Sequence, residues 1–212
     1  MTAEPGARDG ASQRTLASGG RRARISPERA ALLVIDIQER LLPAMPEDVG
    51  RQIVKNARIL IETATRFGLP IIASQQYPKG LGLIVLDLEA ALAAATTAGA
   101  VVHRLDKIEF SIAASAGFAD LRTGALAGRD QWLVAGMEAH ICVYQSVRDL
   151  APTGNVYVVA DAVCSRTKAN WRAGLDLADR LGAIITTTEV CVFDLLGRAG
   201  TDDFKALSKA IR

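Results

Sequence analysis

Three residues far apart in the chain carry the side chains that an acyl-transfer reaction needs. Asp36 ends the apolar run ALLVID, Lys107 stands in LDKIEFS, and Cys142 stands in GMEAHICVYQ. A carboxylate embedded in an apolar run serves either as a cap on the following turn or as a general base. A lysine in a loop is a solvated charge unless something anionic faces it. A cysteine where a strand turns into a helix lies near unpaired backbone N–H groups and the positive end of the helix dipole. Both favour a thiolate, and the spacing predicts a depressed thiol pKa at Cys142. The bland reading of the same residue is a small buried hydrophobe.

The elements that must position these residues are legible from periodicity. Short apolar runs at Ala30–Ile37, Ile71–Ser74, Ala100–His103, Gln131–Ala135, Asn155–Ala160 and Ala183–Thr187 read as six strands. Between and after them, Arg51–Phe67, Asp87–Ala98, His140–Leu150, Lys168–Leu181, Val190–Leu196 and Asp203–Ile211 read as helices. Strands apolar throughout and alternating with amphipathic helices predict an α/β fold, a parallel sheet covered on both faces. In such sheets ligands bind beyond the carboxyl ends of the strands, which is where Asp36, Lys107 and Cys142 fall.

Composition narrows the function classes. The chain has 212 residues, half of them hydrophobic, enough for one domain with a full core. Residues 1–27 are rich in Gly, Ser and Arg and read as a disordered tail, with a weaker reading as an organelle-targeting peptide, and residues 28–212 as the folded domain. Five arginines against two acids in residues 1–25 leave the remainder close to neutral, which argues against a nucleic-acid footprint. Three cysteines without a CxxC pair argue against a disulfide framework and for a reducing, cytoplasmic setting. No apolar run reaches the length of a membrane span. KGLGL at 79–83 lacks the dinucleotide-binding spacing, so no nicotinamide or flavin cofactor is expected.

The segments ALLVIDIQERLLPAM, SQQYPKGLG, KIEFS, GMEAHICV and VADAVCSRT, in that order, resemble the isochorismatase-like cysteine hydrolase family over about Ser26–Arg212. Within it, QYPKGLG and GAIITTTEV are most similar to the isochorismatase domain-containing proteins. The resemblance implies a three-layer α/β/α sandwich around a six-stranded parallel sheet. It also implies hydrolysis of small amides, carbamoyl groups or vinyl ethers, and an Asp–Lys–Cys triad at Asp36, Lys107 and Cys142. A cis peptide before the nucleophile would map to Met137–Glu138, and an oxyanion hole to the backbone N–H groups of Glu138 and Cys142. The zinc ligands of some family amidases have no counterpart, since His103 and His140 are the only histidines, so no metal is expected. Presence of the cysteine favours acyl chemistry over vinyl ether cleavage.

Loops at the same end of the sheet supply Gln38, Gln76, Tyr77 and Phe110 as candidate substrate-binding residues, although Gln38 reads first as fixing the loop after Asp36 and only second as touching ligand. His140, two residues from Cys142, points to another face of a helix and reads as a rim residue. Cys164 could line a cleft, and Cys191 reads as packing. The partners expected are a small-molecule substrate and further copies of the chain. A catalytically silent protein that keeps this fold is the alternative.

Overall fold

The computed structural model describes residues 24–211. Most of the tail expected over 1–27 therefore lies outside the described residues. Its last residues, 24–27, are packed: the Ile25 N–H donates to Asp194 Oδ2 at 2.7 Å and the Ser26 N–H to Gln131 Oε1 at 2.7 Å.

The strands are β1 (Ala30–Ile35), β2 (Ile71–Gln76), β3 (Val102–Lys107), β4 (Gln131–Met137), β5 (Asn155–Cys164) and β6 (Ile184–Thr186). The helices are α1 (Glu47–Phe67), α2 (Pro78–Leu81), α3 (Leu86–Thr97), α4 (Ala116–Thr123), α5 (Tyr144–Leu150), α6 (Lys168–Arg180), α7 (Thr188–Leu196) and α8 (Asp202–Ile211). All strand pairs are parallel, in the order β3-β2-β1-β4-β5-β6. The expected α/β sandwich with a six-stranded parallel sheet is the fold. Among the described residues no helix is long and apolar enough to cross a membrane.

Why β1 is central follows from its sequence. Ala30, Leu32 and Val34 face one core, packed with Ile53, Leu60, Leu88 and Leu92 from α1 and α3. Ala31, Leu33 and Ile35 face the other, with Phe118, Val147 and Leu175 from α4, α5 and α6. Period-two side chains with no polar residue on either face can be buried only in a covered parallel sheet.

Expected boundaries fail mainly at the carboxyl ends of strands. β2 runs on to Gln76, β4 to Met137 and β5 to Cys164, while β3 starts later and ends at Lys107. Lys107 is thus the last residue of a strand rather than part of the following loop. Ladder pairs Gln76↔Lys107 and Met137↔Cys164 extend the sheet through polar and site-bearing positions, where an apolar pattern gives no signal. α4, with one fully buried side chain, Phe118, was not expected at all, and neither was the single turn α2.

The sheet closes tightly at its centre. Gly136 has φ of 128°, and a Cβ there would lie 2.0 Å from the Ile35 carbonyl oxygen. Only glycine lets β4 approach β1 this closely, one residue before Met137.

Candidate active site

Asp36 follows β1 with φ of 54°, a left-handed conformation rare for a residue with a side chain. Its N–H donates to the Ser74 carbonyl at 3.2 Å, and its Oδ1 accepts the Ser74 hydroxyl at 2.7 Å. The Lys107 ammonium donates to Oδ2 at 2.7 Å, with both side chains fully shielded from solvent. Lys107 also donates to Gln76 Oε1 at 2.8 Å and reaches the carbonyls of Phe110 and Glu109 at 3.1 and 3.3 Å. A buried ammonium persists only with such company, and here every neighbour is an acceptor.

Cys142 sits in a single π-helical turn, Ala139–Val143, between β4 and α5. Part of the helix expected over His140–Leu150 is therefore this wider turn, an irregularity that recurs at functional sites. The Glu138 carbonyl accepts the N–H groups of Ile141 at 3.0 Å and Val143 at 3.3 Å, bonds that flank Cys142. Ser146 Oγ donates to the Cys142 carbonyl at 2.6 Å, tying the turn to α5. Behind it, Gly174 of α6 lies so near that a Cβ would stand 2.6 Å from the Ala139 carbonyl carbon. The Met137–Glu138 peptide is cis.

The Cys142 thiol is 5% exposed and lies within electrostatic reach of Asp36 and Lys107. Burial pushes its pKa well above the ordinary value, the Asp36 charge adds to that, and Lys107 opposes it without prevailing. This corrects the expectation of a thiolate stabilised by the helix end. The turn does precede a helix, but desolvation and a neighbouring carboxylate set the direction of the shift.

Glu138 is also buried, and its carboxylate accepts the Arg166 backbone N–H at 2.9 Å and Nε at 3.2 Å. Gln38 is fully buried. Its Nε2 donates to the carbonyls of Gly82 at 2.7 Å and Gln76 at 3.1 Å, and its Oε1 accepts the Gln76 N–H at 2.8 Å. These bonds spend the Gln38 amide on fixing the loops after β1 and β2. Gln76 spends its amide on Lys107 and on the Ile108 carbonyl, at 2.7 Å. Tyr77 and Phe110 stand 54% and 52% exposed on the loops after β2 and β3.

Ser74, Ser146 and Arg166, which hold Asp36, the Cys142 turn and Glu138, escaped the sequence reading. The one available signal was at Ser74, a polar residue ending an apolar strand. His140 turns to Ser165, its Nδ1 3.0 Å from the hydroxyl. Cys191 is fully buried in the core, and Cys164 ends β5 beside a separate cavity. Among the described residues no group of three His, Cys, Asp or Glu side chains is placed to hold a metal ion.

The carboxylate follows central β1, the ammonium ends edge strand β3 and the thiol follows central β4, all at the carboxyl side of one six-stranded parallel sheet. Residues 30–190 match the isochorismatase domain, and the chain belongs to the isochorismatase family. It is 32% identical over 192 residues to isochorismatase domain-containing protein 1 of Salmo salar, covering 88% of this chain and 62% of that one. The match therefore spans less than two thirds of that relative's length. The secreted isochorismatase effector Isc1 of Phytophthora sojae is 31% identical over 193 residues, 89% of this chain and 87% of its own. Among solved structures, the Caenorhabditis elegans protein described as MAR1 ribonuclease superposes with a TM-score of 0.78 at 32% identity, over 89% of this chain and 92% of that one. The Escherichia coli YcaC product, described as an octameric hydrolase of unknown specificity, shares the fold at TM-score 0.75 and 21% identity, over 88% and 90% of the two chains.

Proposed function

We propose that the protein is a cysteine hydrolase that cleaves a small amide or related C–N bond through a thioester on Cys142. The observation that carries this reading is the convergence of three buried groups, the Asp36–Lys107 ion pair at 2.7 Å and the Cys142 thiol within electrostatic reach of both. Asp36 takes the thiol proton as Cys142 Sγ attacks the carbonyl carbon. The oxyanion is held by the backbone N–H groups of Glu138 and Cys142, donors of a kind worth about 3–4 kcal/mol each. Collapse expels the amine, which leaves with the proton held on Asp36. Water, deprotonated by Asp36, then attacks the thioester and releases the acid and the free thiol.

Because the resting thiol is protonated, its activation coincides with substrate attack. Lys107 keeps Asp36 anionic and oriented, Gln38 and Gln76 fix the loops around it, and Tyr77 and Phe110 offer apolar surface to the substrate. No step requires a metal or an organic cofactor. A homo-oligomer in the cytoplasm completes the reading. Assembly is supported by the octamer described for YcaC, while the location rests on cysteine usage alone.

The test is a panel of small neutral amides assayed for amine release, with intact-protein mass spectrometry after rapid quench. The expected result is turnover lost in Cys142→Ala and an acyl adduct on Cys142 in the native protein. An RNA oligonucleotide belongs in the panel because the C. elegans relative is described as a ribonuclease. A thioester route leaves its phosphodiesters intact. Amide turnover that survives Cys142→Ala overturns the nucleophile. Absence of turnover and adduct across the panel favours the silent protein.

A further inference from the structure

A cavity of about 500 Å3 lies between the first turns of α1, the end of β5 and the start of α6, and Asp36, Lys107 and Cys142 do not line it. Its volume falls in the range of about 300–1,000 Å3 typical of small-molecule sites. Val49, Ile53, Val163 and Trp171 give it apolar walls, and Cys164, 1% exposed, is part of its lining.

Two charged side chains line the cavity, Lys168 and Asp161. Lys168, the first residue of α6, lines the cavity and forms no ion pair among the described residues. The acid on the wall, Asp161, is engaged elsewhere, its Oδ1 accepting the Thr188 N–H at 2.7 Å and hydroxyl at 3.0 Å. Helix α1 begins at the cavity, behind Pro46, without a side-chain cap. An apolar slot beside an unpaired cation suits a ligand with a hydrocarbon body and one negative head.

We propose that this cavity is a second small-molecule site, selective for an amphipathic monocarboxylate whose chain lies along Val49, Ile53 and Trp171 and whose head meets Lys168. The site is joined to the Cys142 turn. Ser165, the cavity residue after Cys164, bonds His140, and the next residue, Arg166, bonds Glu138 through both its backbone N–H and its side chain.

The chain supplies its own reporter, having two tryptophans, of which Trp132 is fully buried against Phe118 and Trp171 lines the cavity. Titration of the full chain with sodium octanoate is expected to give a saturable change in tryptophan emission. That change disappears in Trp171→Phe and persists in Cys142→Ala. Lys168→Glu weakens binding by about fivefold, the effect of an exposed charge pair, and octan-1-ol binds more weakly than octanoate. The proposal is overturned by no saturable change, by the same change in Trp171→Phe, by unaltered affinity in Lys168→Glu, or by equal affinity for the alcohol. None of these outcomes depends on hydrolytic activity.

Discussion

Lys107 Nζ and Asp36 Oδ2 stand 2.7 Å apart, with both side chains sealed from solvent, joining the ends of β3 and β1 across the intervening β2. The ion pair spans 71 residues of sequence and has no solvent to replace either partner.

Removing one partner therefore leaves a buried charge uncompensated. Lys107→Met is expected to lower unfolding stability by about 3–5 kcal/mol. The double variant Asp36→Asn with Lys107→Met should recover much of that loss, since both charges go together, while remaining unreactive toward amides. Urea unfolding of the three proteins checks the order. A double variant no more stable than Lys107→Met would contradict the pairing.

The raised pKa of Cys142 gives a prediction opposite in sign to simple activation by Asp36. The carboxylate charge opposes ionisation of the neighbouring thiol, and Lys107 favours it. Asp36→Asn removes the opposing charge, so at pH 8 Cys142 should be alkylated by iodoacetamide faster than in the native protein, by about tenfold for each unit the pKa falls. Turnover should vanish in the same variant. Peptide mapping of the alkylated residue against time decides it, and a slower rate would show that Asp36 promotes the thiolate.

Cys191 carries a similar consequence for stability. Burial raises its pKa to about 12, against an ordinary value near 9. Its contribution to stability is complete below the pKa of the unfolded thiol. As pH climbs from about 9 toward 12 the unfolded chain loses this proton while the folded one keeps it, and stability declines. The decline is somewhat over ~1 kcal/mol per pH unit for the single thiol. Cys191→Ala should flatten the fall measured by urea unfolding between pH 8.5 and 10.5 (values at the limit of what ordinary buffers allow, about two units apart). An unchanged slope would place the alkaline sensitivity elsewhere.

Two glycines should separate folding from site geometry. Gly136→Ala drives a Cβ into the Ile35 backbone at a φ that side chains avoid, and a loss of more than about 3 kcal/mol is expected. Gly174→Ala instead presses α6 on Ala139 and His140, with a smaller overpacking cost of about 1–3 kcal/mol. It should displace the Cys142 turn and lower turnover in a protein that still melts cooperatively. A Gly174→Ala protein with native turnover would show that the turn has slack.

What the sequence revealed, and what it withheld, divides along physical lines. Residues buried on both faces announced β1, β4 and β5, because a run such as ALLVI has few other uses. Helices with a wide apolar stripe, such as α1, were equally plain. The carboxyl ends of the strands were not, since Gln76, Lys107 and Cys164 break the apolar pattern while extending the ladders. Asp36, Lys107 and Cys142 were singled out by type, position and resemblance, and the contacts among them needed the sheet order. Ser74 and Gln76 hold the buried charges from β2, whose last two residues read locally as loop. The reversal of the Cys142 pKa trend arises from desolvation, which no local spacing reports.

The order β3-β2-β1-β4-β5-β6 also bears on how the molecule is made. The first strand to leave the ribosome is an interior one, and its neighbour on one side, β4, is synthesised about a hundred residues later. Until Gln131–Met137 emerges, β1 keeps one edge of unsatisfied amides and carbonyls, the kind of edge that recruits other chains. A chain truncated before β4 would expose that edge permanently, so fragments ending there are expected to be insoluble rather than partly functional.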